Sequence, residues 1–186
     1  EEKLEYKARR IRGVLVDRLE YHGSEWATGY NAIRLACELA RHDPEVRVVV
    51  LDIDSGGGMV AGCFELCAWL LARDKPLVAI VTNWAASAAY AIAASCNAIA
   101  APLAGGVGSI GVVMAHLDMS KWLEDVGLKV TLIHAGKHKV DGNEAEPLSD
   151  EARAHIMDLV EQTYRKFIAA VAEGRTLAGL GIEPTA

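Results

Sequence analysis

A chain of 186 residues, 52% hydrophobic and 24% charged, is long enough for a domain with a substantial core and too apolar for general disorder. Its 25 acidic residues outweigh 19 basic ones, for a net charge of −6 with no Lys/Arg block, which argues against nucleic acid or an anionic membrane as the main partner. The opening EEKLEYKARR has no signal-peptide apolar region.

The first strand is expected over IRGVLVDRL, followed by an amphipathic helix, GYNAIRLACELARH, with Ile33, Ala36, Cys37 and Ala40 on one face. After the HDPEV turn, VRVVVLDID reads as a buried strand from its β-branched content. SGGG is expected to break the chain before a helix, MVAGCFELCAWLLA. PLVAIV is the next strand and ASAAYAIAAS a tightly packed helix. AIAA and IGVVMA are short strands on either side of the PLAGG loop. MSKWLEDVG is expected to be a helix ending at Gly127, and LKVTLIH a strand. The loop AGKHKVDGNEAEP leads to a long helix starting near Ser149, with Ala152, Ile156, Val160, Phe167 and Val171 on its apolar face. Alternating strands and helices of this kind specify an α/β fold.

Residues 76–117 hold no Asp, Glu, Lys or Arg, so a membrane span must be considered. Asn83, Asn97, Pro102, Gly105, Gly106 and Gly108 interrupt the stretch, whereas a spanning helix needs ~20 predominantly apolar residues. Protein interior is the better reading. The four cysteines, Cys37, Cys63, Cys67 and Cys96, form no metal-like CxxC pair and read as buried, reduced thiols. Asp52 and Asp54 share one strand face without a third ligand at a recognisable spacing, so no metal site is expected.

Three stretches could carry chemistry. In DIDSGGGMVAG a strand runs through glycines into a helix, which exposes backbone N–H groups to an anion or oxyanion; a plain Gly-rich turn explains it equally well. Ser87 follows a strand and opens a helix; taken alone it reads first as a helix N-cap. The same place suits a nucleophile, since Ala85, Ala86, Ala88 and Ala89 leave room for a peptide. Candidate bases are His116, His134, Lys137, His138 and Lys139, the last four in the loop HAGKHKVDGN, which otherwise reads as solvated charge. A lysine base must be neutral, which burial promotes. His116 with Asp118 or Asp141 would instead make a Ser–His–Asp arrangement. Gly106, Gly108 and Gly111 spell GxGxxG, but they lead into a β-type run rather than a helix, so a tight loop is expected instead of a nucleotide site.

Together, DIDSGGGMVAGCF, AASAAYAIAAS, VGSIGVVMAH and VTLIHAGKHKVDGN resemble the signal peptide peptidase A family of Ser–Lys peptidases, in particular its phage branch of prohead (capsid maturation) proteases. The resemblance covers about residues 10–175 and implies a ClpP/crotonase-like fold of repeated ββα units, a curved, mostly parallel sheet flanked by helices, in a single domain over 1–186. It implies Ser87 as nucleophile and Lys139 as general base, the fourth residue of a G-x-x-K pattern that starts at Gly136. Backbone N–H groups of Gly57, Gly58 and Ala88 would form the oxyanion hole, and Lys137 would have no catalytic role. No metal and no cofactor are implied. The expected partners are peptide or protein substrates such as capsid, portal or scaffold proteins, and further copies of the chain in a ring. The expected place of action is the host cytoplasm or the prohead, without a membrane anchor. Two departures stand out: Gly56 occupies a position where the family commonly has Pro, and the tail 175–186 stops before the family's C-terminal part. A Clp-like peptidase using His116 and a crotonase-like acyl-CoA enzyme are the alternatives.

Overall fold

Runs of β-branched residues that alternate with Ala- and Leu-rich stretches favour strands packed under helices, and a computed structural model, describing residues 6–18 and 26–179, has that arrangement. The elements in order are β1 (Tyr6–Val16), β2 (Ala27–Gly29), α1 (Tyr30–His42), β3 (Val48–Gly58), α2 (Cys63–Leu71), β4 (Leu77–Ala86), α3 (Ala88–Ala94), β5 (Ala98–Ala100), β6 (Gly106–Gly108), α4 (Ser120–Asp125) and α5 (Asp150–Leu177). The chain forms two compact units, Glu1–Gly111 with Lys166–Ala186, and Val112–Arg165.

The first unit holds a sheet of order β2-β1-β3-β4-β5, with β6 paired to the far end of β4, and every pairing is parallel. Helix α1 packs on β1, α3 packs on β3 and β4, and α2 touches both α1 and α3. Ile11, Leu15, Ile33, Leu51, Ile53, Leu70 and Ile92 are fully buried, each stabilising the fold by about 1.5–3 kcal/mol. The alanines of α3 have a packing reason: Ala89, Ala91, Ala93 and Ala94 are wholly buried, and their small side chains bring the helix close to the sheet. All four cysteines are free and buried. Burial pushes the Cys37 thiol up to about 11 and that of Cys96 to about 12, so both stay protonated and unreactive at neutral pH.

Helix α5 runs unbroken past the boundary at Arg165, and its part from Lys166 onward belongs to the first unit. There Phe167 and Val171 are buried, as the apolar face predicts, with Phe167 against Phe64. Arg175 is also buried and donates to the carbonyls of Ala94 (Nη2, 2.6 Å; Nε, 3.1 Å) and Cys96, closing the C-terminal end of α3. Despite Gly174, α5 continues to Leu177, and 180–186 lie outside the described residues.

Further expectations are corrected. SGGG does not break the chain at the end of a strand: β3 continues to Gly58, because Gly57 and Gly58 pair with Val14 and Leu15. A Cβ on Gly58 would lie 1.9 Å from the Leu15 carbonyl oxygen, so only glycine lets the two backbones approach this closely. Helix α2 therefore starts at Cys63 rather than at Met59. The strands expected over IGVVMA and LKVTLIH are absent; both stretches lie outside regular structure and have no ladder partner among the described residues. Their apolar side chains stay open to solvent, Val113 at 90% and Ile133 at 95% exposure. Ile11–Val16 of IRGVLVDRL lie within β1, which starts earlier, at Tyr6, and Leu19 lies outside the described residues.

Within Val112–Arg165, Ala152 is the one buried residue, so this unit has little core of its own. Among the described residues, no helix is long and apolar enough to cross a membrane.

Candidate active site

Strand β4 delivers Ser87 through an irregularity. Ile53 pairs with Val81 and Ser55 with Ala85, so Thr82–Trp84 stand opposite Asp54 alone. The Asp54 carboxylate fills that gap, accepting from Asn83 Nδ2 (2.8 Å) and from the Trp84 N–H (3.3 Å). Beside it, Asp52 accepts from Thr82 Oγ1 (2.7 Å) and Arg12 Nη2 (2.8 Å). Burial pushes the Asp52 carboxyl up, but the Thr82 bond together with the Arg12 bond and charge outweighs it and holds the group below its ordinary value. These two aspartates, two residues apart in the sequence, fasten β3 to the bulge of β4.

Past the bulge, Trp84–Ala86 pair with β6, and the Ser87 N–H donates to the Gly108 carbonyl (2.8 Å). The chain then turns sharply into α3, with Ser87 at φ 53° and ψ −126°. Such a left-handed backbone costs a non-glycine residue about 1–3 kcal/mol and persists only where its surroundings enforce it. Here the Gly108 bond holds one side, and the Ser87 carbonyl accepts from the N–H groups of Tyr90 (2.9 Å) and Ala91 (3.1 Å) on the other. An N-capping serine sits in the extended region and accepts a helix N–H with its side chain. Ser87 does neither: its hydroxyl makes no capping bond, and the residue is half-buried. A serine on a strained strand-to-helix turn, with its hydroxyl left free, has the backbone geometry of a nucleophile elbow.

Gly57 faces this turn at φ 103°, and a Cβ there would lie 2.7 Å from Ser87 Cβ, 2.8 Å from the Ala86 oxygen and 3.1 Å from the Ala88 nitrogen. Glycine is thus required twice, by conformation and by contact. Ala88 is the first residue of α3, so its N–H has no intrahelical acceptor. The Gly57 N–H donates to Ser55 Oγ (3.1 Å), which itself donates to the Gly13 carbonyl (2.6 Å). Gly58 is engaged along β1, and Gly56 is exposed with nothing within 4 Å of a Cβ placed on it.

The Val112–Arg165 unit carries the other candidates. Gly136 at φ 102° turns the lysine loop, and the Lys139 N–H donates to its carbonyl (3.3 Å). The two lysines of GKHK differ in their surroundings. Lys137 Nζ lies 2.5 Å from Glu151 Oε1, and that hydrogen bond and charge raise the pKa of the ammonium while lowering that of Glu151. A lysine so held is a poor base. Lys139 is exposed, and its Nζ has no hydrogen bond or ion pair among the described residues.

His116 Nε2 lies 2.9 Å from the Asn143 carbonyl, and Asp118 accepts from the Ser120 N–H (2.9 Å) and hydroxyl (2.6 Å). Asp141 Oδ2 is shared by His138 Nδ1 (2.8 Å) and His155 Nδ1 (3.0 Å). Neither aspartate is hydrogen-bonded to His116, so the histidine–carboxylate link that a Ser–His–Asp triad needs is missing. His134 Nδ1 lies 3.1 Å from the Gly136 oxygen, inside its own loop.

Ser87, Ala88, Gly57 and Gly58 thus belong to the first unit and Lys139 to the second. Ser55, Asp54 and Gly108, which hold the serine turn in place, were not singled out from sequence for that role. The available signal was their position in DIDSGGG and GGVGSIG. The GxGxxG glycines lie in β6 and the irregular chain after it, with no helix opening at the motif.

The sequence model of peptidase family S49 matches residues 70–186, a stretch that includes both Ser87 and Lys139. The head-tail preconnector protein GP5 of Enterobacteria phage P21 is 38% identical over 166 residues, 87% of this chain and 33% of that protein. The capsid assembly protease C of Escherichia phage lambda is 37% identical over 168 residues, 87% of this chain and 37% of that protein. The chloroplastic serine protease SPPA of Arabidopsis thaliana is 31% identical over 140 residues, 74% of this chain and 21% of its own length. Among solved structures, an enoyl-CoA hydratase from Polaromonas sp. JS666 overlaps 80% of this chain and 73% of its own, at 16% identity and a TM-score of 0.42. This chain spans about a third of the length of the two phage proteins. With more than half of its residues matched, including the strained serine turn and the lysine loop, the chain belongs to peptidase family S49.

Proposed function

We propose that this protein is a serine endopeptidase that cleaves peptide bonds through an acyl-enzyme on Ser87, with Lys139 as its general base, and that it processes phage capsid, portal or scaffold proteins during head maturation. The observation that carries the reading is the Ser87 turn: a strained backbone, a hydroxyl free of capping, and Gly57 directly against it. Neutral Lys139 takes the proton from Ser87 Oγ as the oxygen attacks the scissile carbonyl; it then protonates the leaving amine and activates the water that releases the acyl group. The developing oxyanion is received by backbone N–H groups of Gly57, Gly58 and Ala88. In the free chain the Gly57 N–H serves Ser55 Oγ, so the Gly56–Gly57 peptide must turn as substrate arrives, and the open surroundings of Gly56 permit it.

Lysine supports this chemistry only when desolvated, and Lys139 is exposed in the single chain. We therefore place its activation in an assembled ring, where a neighbouring copy covers the lysine loop. The exposed apolar side chains of the coreless Val112–Arg165 unit, among them Val113, Met114, Leu117 and Ile133, support such a covered surface. The test is incubation of the full-length protein with capsid, portal and scaffold proteins, comparing wild type with Ser87→Ala, Lys139→Ala, Lys137→Ala and His116→Ala. Cleavage is expected to vanish in the first two and to survive in the last two. Equal cleavage by wild type and Ser87→Ala refutes the proposal, and loss in His116→Ala with retention in Lys139→Ala replaces it with the histidine mechanism.

A further inference from the structure

His138 and Asp141 flank Lys139 in the loop, and His155 reaches them from one turn beyond Glu151 on α5. Nδ1 of His138 and Nδ1 of His155 both point at the same oxygen, Asp141 Oδ2, at 2.8 Å and 3.0 Å. The two imidazoles lie 4.0 Å apart, centre to centre, at 33°. Three ligand atoms of three residues thus lie within 4.8 Å of one another. The arrangement is awkward as a purely protonic cluster. Full protonation stacks two imidazolium rings, whose charges one carboxylate only partly offsets. The hydrogen bonds of the two histidines lower the pKa of the Asp141 carboxyl, so it remains an anion at neutral pH.

We propose that His138 Nδ1, His155 Nδ1 and an Asp141 oxygen form a binding site for a first-row divalent cation of the zinc type. Two imidazole nitrogens and one carboxylate oxygen suit zinc, with water as the fourth ligand on the exposed side of His138. Bonds of about 2.0–2.2 Å set tetrahedral ligand atoms roughly 3.4 Å apart, so the present 2.8 Å and 3.0 Å separations need open by only a few tenths of an ångström. Each histidine must present a bare Nδ1. A neutral ring moves its proton to Nε2 through solvent, and an imidazolium releases one proton. Sequence spacing hid the site, because the third ligand lies 14 residues after Asp141 on a different element. The nearby charged pair, Lys137 and Glu151, is mutually neutralised and leaves the cation to Asp141. Metal binding ties the loop on both sides of Lys139 to α5. It stands or falls independently of any peptidase activity.

Equilibrium dialysis of the chelator-stripped full-length protein against zinc chloride tests this, with wild type, Asp141→Asn and His155→Ala in parallel. One zinc per chain is expected in wild type, with affinity roughly 10–100-fold weaker in either variant. Cobalt(II) substituted for zinc should give visible tetrahedral bands without thiolate charge-transfer absorption. Hydrogen exchange over residues 136–142 should slow on zinc addition. No saturable binding at micromolar zinc overturns the proposal. Binding equal in wild type and in folded Asp141→Asn, whose shape is nearly unchanged, also overturns it, as does a thiolate band that assigns the metal to cysteine.

Discussion

Replacing Gly57 by alanine probes the contact between the glycine turn and the serine turn. The added Cβ would sit 2.7 Å from Ser87 Cβ and 2.8 Å from the Ala86 oxygen, against an ordinary carbon contact of about 3.5–4.0 Å. Overpacking of this kind costs about 1–3 kcal/mol. The backbone at φ 103° adds about 1–3 kcal/mol for a residue with a Cβ. Two of the three nearest atoms are backbone, so relief by a side-chain rotation is unavailable, and a total loss of about 2–6 kcal/mol is expected out of the 5–15 typical of a domain. Gly56→Ala is the built-in control, because its Cβ meets nothing within 4 Å and its φ is not positive. That variant should stay within about 1 kcal/mol of wild type. Urea unfolding followed by circular dichroism measures both. If Gly57→Ala falls within about 0.5 kcal/mol of Gly56→Ala, the close packing of the two turns is wrong.

Arg175→Met removes the guanidinium from the Ala94 and Cys96 carbonyls while keeping much of its volume, and should destabilise by about 2–4 kcal/mol in the same unfolding assay. Arg175→Lys should recover only part of that loss, since one ammonium lacks the planar fork that reaches both carbonyls. Asp52, held below its ordinary 3.8, stabilises the fold fully above that value and loses its contribution as pH falls through the lower folded value. Asp52→Asn should therefore be about 1 kcal/mol less stable than wild type near neutrality, and the gap should close as pH drops below 3.8. A gap that persists unchanged into that range refutes the ion-pair account. Asp54→Ala should disorder the bulge over Thr82–Trp84 and speed amide exchange at Trp84 and Ser87, with little change near β2.

Much of the first unit was legible because its signals are local. The β-branched runs of β3 and β4, the apolar stripe of α1 and the small residues of α3 each state a strand, a helix face or a close contact in a few consecutive residues. The expectation failed where an element needs a partner. IGVVMA and LKVTLIH have strand composition, yet composition supplies no neighbouring ladder, and the chain leaves both unpaired. SGGG looked like punctuation, whereas close approach to Leu15 makes its last glycine part of the sheet. For the candidate site, Ser87 stood out from sequence as a residue after a strand, but its strained angles came from Gly108 and the β4 bulge, both set by tertiary pairing. The difference between Lys137 and Lys139 could be argued from sequence only by resemblance; its physical basis is Glu151, 14 residues beyond Lys137 on α5. His155 was invisible as a partner of His138 for the same reason.

Covalent labelling tests the central claim most directly. The full-length protein is treated with a serine-reactive phosphonate probe carrying a small P1 side chain, then digested and mapped by mass spectrometry. The account predicts a single adduct on the peptide that contains Ser87, absent in Ser87→Ala and strongly slowed in Lys139→Ala, with Lys137→Ala labelled at the wild-type rate. An adduct elsewhere, or Ser87 left unmodified in a protein that still cleaves its substrate, would contradict it.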